Sequence, residues 1–182
     1  MHLDGARLWN AAVASGTPED ELARPFDTVS VCFSKGLGAP IGSAVCGSEI
    51  WVRESRRFRK MLGGGMRQAG VIAAAALFAL EHHRSRLVED HSTARDVAAI
   101  LGNARGAVVN GPGVETNIVN VGLSSADAER VVAAARAAGV LVNATGPHKL
   151  RIVTHLDAPR DRAIAGAERL ARVIEACSGG GP

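Results

Sequence analysis

The sequence predicts an α/β protein in two parts, and three observations lead there. Short runs rich in β-branched residues, such as Thr28-Val29-Ser30-Val31-Cys32-Phe33, alternate with longer stretches whose apolar residues recur every three or four positions. Glycine and proline fall between these segments rather than inside them. Near Arg84 an alanine-rich, almost uniformly apolar stretch gives way to one of alternating charges, which places a domain boundary at about residue 85. The 182 residues suffice for one domain or one and a half, and a hydrophobic content of 47% is enough for a core.

The elements follow in order. Met1-His2-Leu3-Asp4 reads as the end of a strand, turning at Gly5 into a helix over 6–14 that Gly16 stops. Thr17-Pro18-Glu19-Asp20 starts a short helix, with Thr17 as cap, Pro18 in the first helical position and acids in the first turn. The strand over 28–33 runs into a glycine-rich turn. A second strand over 43–47 is antiparallel to it, because so few residues intervene. Ser48 caps a helix over 49–62. Gly63-Gly64-Gly65-Met66-Arg67-Gln68 interrupts it, and the helix expected over 68–83 is apolar nearly all round, hence buried.

Beyond the boundary comes an amphipathic helix over 87–101. Strands over 107–109 and 117–121 flank the turn Gly111-Pro112-Gly113. Ser125 caps a helix over 126–138 that Gly139 ends, and strands are expected over 140–142 and 150–154. The last helix runs over 159–176, with Ile164, Ala167, Ala171 and Ile174 inward, and leaves a loose tail at 179–182.

Composition narrows the function. The formal charge is +3, from 21 Lys+Arg against 18 Asp+Glu, and there is no tyrosine to stack on bases. The one basic cluster, Arg53, Arg56, Arg57, Arg59 and Lys60, reads as the solvated face of a helix, so nucleic acid is not an expected partner. Cys32, Cys46 and Cys177 show no CxxC or metal-ligand spacing. Cys32 and Cys46 read as small core residues, and a reduced, cytoplasmic setting is the default. No apolar run reaches a membrane span, and the first residues lack signal-peptide character.

Four positions combine polarity with a place at the edge of an apolar element. Lys35, in Ser34-Lys35-Gly36-Leu37-Gly38-Ala39-Pro40, sits at the lip of a strand with little bulk around it. A desolvated lysine, or one held beside other cations, can lose its proton and condense with an aldehyde; the alternative is a surface lysine on a loop. Asp4 closes a strand at its carboxyl end, where open α/β sheets place ligands, and suits a protonated ring nitrogen or a helix cap. Arg7 lies one helical turn on, able to reach the same ligand or to face solvent. Arg151 interrupts an apolar strand and suits a two-pronged grip on a carboxylate, although period two sets it opposite Leu150 and Ile152.

Together, His2-Leu3-Asp4-Gly5-Ala6-Arg7 and Ser30-Val31-Cys32-Phe33-Ser34-Lys35-Gly36-Leu37-Gly38-Ala39-Pro40-Ile41-Gly42-Ser43 resemble the low-specificity L-threonine aldolases, within the β-eliminating lyase/threonine aldolase group. Gly63-Gly64-Gly65-Met66-Arg67-Gln68-Ala69-Gly70, Glu115-Thr116-Asn117-Ile118-Val119 and Arg151-Ile152-Val153-Thr154-His155 extend the resemblance over nearly the whole chain. It implies the carboxyl-terminal portion of a pyridoxal-phosphate enzyme of the aspartate aminotransferase fold. Residues 1–84 would be the second half of the large domain, and 85–178 a small C-terminal α/β domain.

The same resemblance implies roles. Lys35 would bond to the aldehyde of pyridoxal 5'-phosphate, Asp4 would keep the pyridine nitrogen protonated, and Arg7 would lie near the phenolic oxygen. Arg67 would reach the phosphate held by a neighbouring subunit, and Arg151 would clamp the amino-acid carboxylate. The implied reaction is aldol cleavage of L-threonine or L-allo-threonine to glycine and acetaldehyde, as in glycine biosynthesis, by a homo-oligomer (dimer or tetramer) with shared sites. The family's ring-stacking histidine and most of its phosphate loop belong to a first half without counterpart here. His82, His83, His91, His148 and His155 do not substitute for them. The competing readings are a related β-eliminating amino-acid lyase, and a non-catalytic fragment that pairs with an intact homologue.

Overall fold

The structure, a computed structural model, describes residues 1–179, and its chain divides into two compact units, Met1–Val88 and the residues from Glu89 onward. The tail expected at 179–182 lies, apart from Gly179, outside the described residues.

The first unit is built on a three-stranded sheet. Strand β1 (His2–Gly5) leads to helices α1 (Leu8–Ser15) and α2 (Glu19–Ala23), then to β2 (Thr28–Cys32) and β3 (Ser43–Gly47). The order is β1-β2-β3, with β1 parallel to β2 and β3 antiparallel to it. One face, from Leu3, Val29 and Val31, packs on Leu8 with Leu22 and Phe26. Asp4, Ser30 and Val45 share the other face in register. Cys46 is exposed, not the core residue expected, because β3 is an edge strand. Pro18 occupies the cap position of α2 itself, and no side chain caps that helix; Thr17 stands outside it and bonds to Ser15.

Helix α3 (Glu49–Met61) starts where expected, with the Ser48 hydroxyl accepting from Trp51 N–H. It buries no residue. Two of its cations pair locally, Arg53 with Glu49 and Arg57 with Glu54. Helix α4 (Gly70–His82) corrects the expectation of a buried helix: only Ala76 and Ala79 are buried, while Val71 and Phe78 are 74% and 53% exposed. Apolarity on every face shows what a helix can bury. The single stripe through Ala76 and Ala79 is all that this unit covers.

The second unit continues α5 (Leu87–Gly102) into β4 (Ala107–Val109), a single 3₁₀ turn at Gly111–Gly113, and β5 (Ile118–Leu123). Then come α6 (Ala128–Ala137), β6 (Asn143–Gly146), β7 (Lys149–Val153) and α7 (Arg160–Ser178). The sheet runs β4-β5-β7-β6, all neighbours antiparallel. Helices α5, α6 and α7 cover one face of it, around Leu101, Val119, Val121, Val131, Leu150 and Ile174. On α7, Ala167 and Ile174 are buried as expected, whereas Leu170 and Cys177, not Ile164 and Ala171, complete its buried set.

Around α6 the structure departs from expectation twice. Asp127, not Ser125, caps α6 by accepting from Arg130 N–H at 3.0 Å. The segment before it is held by residues 147–148, with Ala128 N–H on the Pro147 carbonyl and His148 Nδ1 on that of Ala126. The run 140–142 is not a strand. Val140 N–H closes onto the Ala135 carbonyl at 2.8 Å, and pairing with β7 begins only at Asn143. Val140 and Val142 pack on the core without joining the ladder.

A buried polar clasp ties this unit together. Thr154 Oγ1 donates to the Asp90 carbonyl at 2.6 Å, and Asn117 Nδ2 donates to the Thr154 carbonyl at 2.9 Å. Thr154 N–H returns a bond to the Asn117 carbonyl at 3.0 Å. The clasp joins the start of β5, the end of β7 and the first turn of α5. Replacing Thr154 by the isosteric valine removes one buried hydrogen bond, and is expected to cost about 1–2 kcal/mol in urea denaturation. Circular dichroism is the probe, since both tryptophans, Trp9 and Trp51, lie in the first unit.

His91 is buried beside the clasp. Burial, chiefly, holds its imidazole below the ordinary 6.5; Asp90 pulls it up and Arg95 adds to the depression. The unfolded chain therefore takes up this proton first as pH falls. The His91 contribution to stability is full above pH 6.5 and is lost as pH drops below it. The fall in urea midpoint between pH 7.5 and pH 5 should be smaller in His91→Gln than in the parent; equal falls in both proteins would refute this.

Candidate functional site

The loop after β2 is fastened by three backbone hydrogen bonds, one buried side chain and one close glycine contact. Phe33 N–H bonds the Gly42 carbonyl and Ala39 N–H the Phe33 carbonyl, each at 3.0 Å, so the 33–42 segment closes on its own base. Within it, Gly38 N–H bonds the Lys35 carbonyl at 2.8 Å, a tight turn with Gly38 at φ 71°, which a glycine adopts without strain. Leu37 is fully buried with Ala39, Ala79 and Leu87, worth about 2–3 kcal/mol in apolar area removed from water. Gly36 lies against the buried Asn10: a Cβ there would come within 2.8 Å of Asn10 Oδ1 and 3.1 Å of Leu87 Cδ2. Lys35 itself is exposed at the head of this anchored turn.

Asp4 ends up beside it in the topology. It pairs with Ser30 across the parallel ladder, so Asp4 and the Lys35 loop lie at the carboxyl ends of neighbouring parallel strands. The Asp4 carboxylate is exposed and accepts Ala6 N–H at 3.1 Å, steadying the turn that follows β1. Arg7, also exposed, sits at the cap position of α1 two residues past the end of β1. Three of the sequence-derived positions thus gather at one sheet edge. Trp9 Nε1 reaches the Cys32 carbonyl at 3.4 Å, tying α1 to the strand that delivers the lysine.

Arg67 is exposed on the connection between α3 and α4. Gln68, next to it, holds a left-handed φ of 47°, an unusual setting for a residue with a side chain, immediately before α4. Arg151 lies on the uncovered face of the second unit's sheet, with Leu150 buried opposite. It is flanked in register by Asn120 and Asn143. Arg151 Nε points to Asn120 Oδ1 at 3.5 Å. Asn120 was missed in the sequence, although period two from the buried Val119 and Val121 sets it on the same face as an arginine one strand away. Asn117 and Thr154, both inside motifs, prove to be clasp residues rather than ligand-facing ones. Among the described residues, no group of three or more His, Cys, Asp or Glu side chains could hold a metal ion.

The sequence pattern of the β-eliminating lyases matches residues 1–124. The chain belongs to the β-eliminating lyase family. Low-specificity L-threonine aldolase 1 of Arabidopsis thaliana is 42% identical over 158 residues, which is 85% of this chain and 44% of that protein. The chain therefore spans a little under half the length of this relative. Among solved structures, a Listeria monocytogenes protein described as an L-allo-threonine aldolase superposes with a TM-score of 0.77 at 20% identity, over 96% of this chain and 51% of the other. An aspartate aminotransferase from Rhodobacter sphaeroides gives 0.65 at 16% identity, over 82% and 41%. The fold is thus aspartate-aminotransferase-like.

The Gly36 contact makes a testable constraint. Gly36→Ala is expected to destabilise the first unit by about 1–3 kcal/mol, because the added methyl meets Asn10 and Leu87 in a packed site. Tryptophan-fluorescence melting in urea measures it, and an unchanged midpoint would contradict the packing described.

Proposed function

We propose that this chain carries the amine and carboxylate that hold pyridoxal 5'-phosphate in an aldehyde-lyase cleaving β-hydroxy amino acids, L-threonine and L-allo-threonine first among them, to glycine and an aldehyde. The observation that carries the reading is the placement of Asp4 and the Lys35 loop at the carboxyl ends of adjacent parallel strands, the edge at which α/β sheets take ligands. The donor set fits the group: an amine for its aldehyde, a carboxylate for its ring nitrogen, and guanidinium groups for its oxygens. When bound, pyridoxal phosphate supplies an electron sink for the charge left on Cα as Cα–Cβ breaks.

The chain's own residues supply the rest. The anchored turn orients the Lys35 amine. Asp4, acceptor-only when ionised, holds a proton on a ring nitrogen placed against it. Arg7 offers donors to an oxygen at the same edge. Arg151, steadied by Asn120, offers the planar fork that matches an α-carboxylate. For Arg67 reaching a neighbouring subunit of a homo-oligomer (dimer or tetramer), support comes from exposed apolar side chains on α3 and α4. Trp51, Met61 and Phe78 are each more than half exposed and suit a protein partner better than water.

A second reading is a non-catalytic chain that pairs with an intact homologue. The outer side of β1 favours it: among the described residues β1 is the edge of its sheet and pairs with a strand on one side only. Purified protein mixed with equimolar pyridoxal phosphate is expected to gain visible absorbance beyond that of the free aldehyde, and Lys35→Ala to lose most of that gain. Release of acetaldehyde from L-threonine, with and without an intact homologue, separates the two readings. A gain that is undiminished in Lys35→Ala would overturn the first.

A further inference from the structure

His83 stands outside every motif, yet it touches the lysine loop. Its Nδ1 lies 2.7 Å from the Leu37 carbonyl oxygen, which can only accept, so the imidazole N–H is the donor. Separation in sequence is 46 residues, so the bond is purely tertiary. His83 is half-buried at the carboxyl end of α4, with its backbone N–H on the Ala79 carbonyl and its ring edge-on to Phe78. Ala79, one turn earlier on the same helix, packs against the Leu37 side chain. One helix therefore grips Leu37 twice, by its side chain and by its carbonyl.

That carbonyl sits two residues past Lys35. The Lys35 carbonyl is already taken by Gly38, and Gly36 is pressed on Asn10. With the Leu37 carbonyl held as well, the peptide units after Lys35 have little freedom to rotate. The direction in which Lys35 leaves the backbone is set with them. We infer that His83 is a positioning residue for Lys35, acting through its N–H on the Leu37 carbonyl to aim the amine at an aldehyde held at the sheet edge. The inference rests on the reading of Lys35 as the imine-forming amine, and adds a residue to it.

The chain offers an internal control, since its only other lysines are Lys60 and Lys149. The 182-residue chain is incubated with pyridoxal phosphate and borohydride. An amine that adds to the aldehyde loses water to give a C=N bond, which hydride then reduces to a stable secondary amine. Peptide mass spectrometry reads the ratio of label on Lys35 to label on Lys60 in the same molecules. Two near-isosteric variants are compared: His83→Asn, which keeps an N–H donor, and His83→Leu, which does not.

In the parent protein, Lys35 is expected to label well ahead of Lys60. His83→Leu should lower the ratio by about tenfold, the order of loss that misplacing a reacting group produces, while His83→Asn stays near the parent. A residue that merely stabilised the fold would shift melting in both variants without separating the ratios. If His83→Leu does not fold, His83→Asp makes the same comparison, being the size of asparagine with no N–H when ionised. Equal ratios in donor and non-donor variants would overturn the role of His83 while leaving the Lys35 reading intact. A parent protein that labels Lys60 as readily as Lys35 would overturn the Lys35 reading, and this inference with it.

Discussion

Parallel pairing of two short strands is the constraint on which the candidate site depends. Parallel neighbours need a crossover, and here α1 and α2 provide it between β1 and β2. Once the two strands run the same way, their carboxyl ends share an edge, and whatever follows each strand must emerge there. Asp4 and Lys35 come together for that reason, not because anything in their own side chains attracts them. An antiparallel β1 would have set the aspartate at the far end of the lysine's strand.

The edge alone would leave Lys35 on a loose glycine loop. What makes the loop a fixture is the burial of one leucine in its middle. Leu37 anchors the turn from below, Gly36 admits Asn10 because it has no side chain, and a distant helix closes on the Leu37 carbonyl. Glycines that would otherwise make the segment floppy instead permit close approach. The exposed lysine and its buried neighbour two residues on are two sides of one arrangement, with the amine outward and packing inward.

The second unit works by a different device. Its sheet buries one face under three helices and leaves the other uncovered, and Arg151 lies on the uncovered side between two asparagines. The buried clasp of Asn117, Thr154 and Asp90 fixes together the ends of β5 and β7, the strands that carry Asn120 and Arg151. Motif residues thus divide here into one that faces out and two that hold the frame. A family motif by itself does not separate those tasks.

Local chemistry settled much of this protein before any folding was considered. The β2 strand, the glycine turn behind it, the Ser48 cap and the apolar stripe through Ala167 and Ile174 follow from period and capping, which act over a few residues. The candidate residues Lys35, Asp4, Arg7 and Arg151 were legible for the same reason, each standing at the margin of an apolar run. Tertiary structure decided what depends on distant partners. It left α4 largely uncovered, since apolar composition says nothing about whether neighbours exist to bury it. It kept residues 140–142 out of the ladder, because closure of α6 took the Val140 N–H first. It brought His83 to Leu37 across 46 residues, a contact without periodicity or motif to announce it. Hydrogen bonds to a carbonyl are short-ranged and directional, so only the folded chain could select which histidine makes this one.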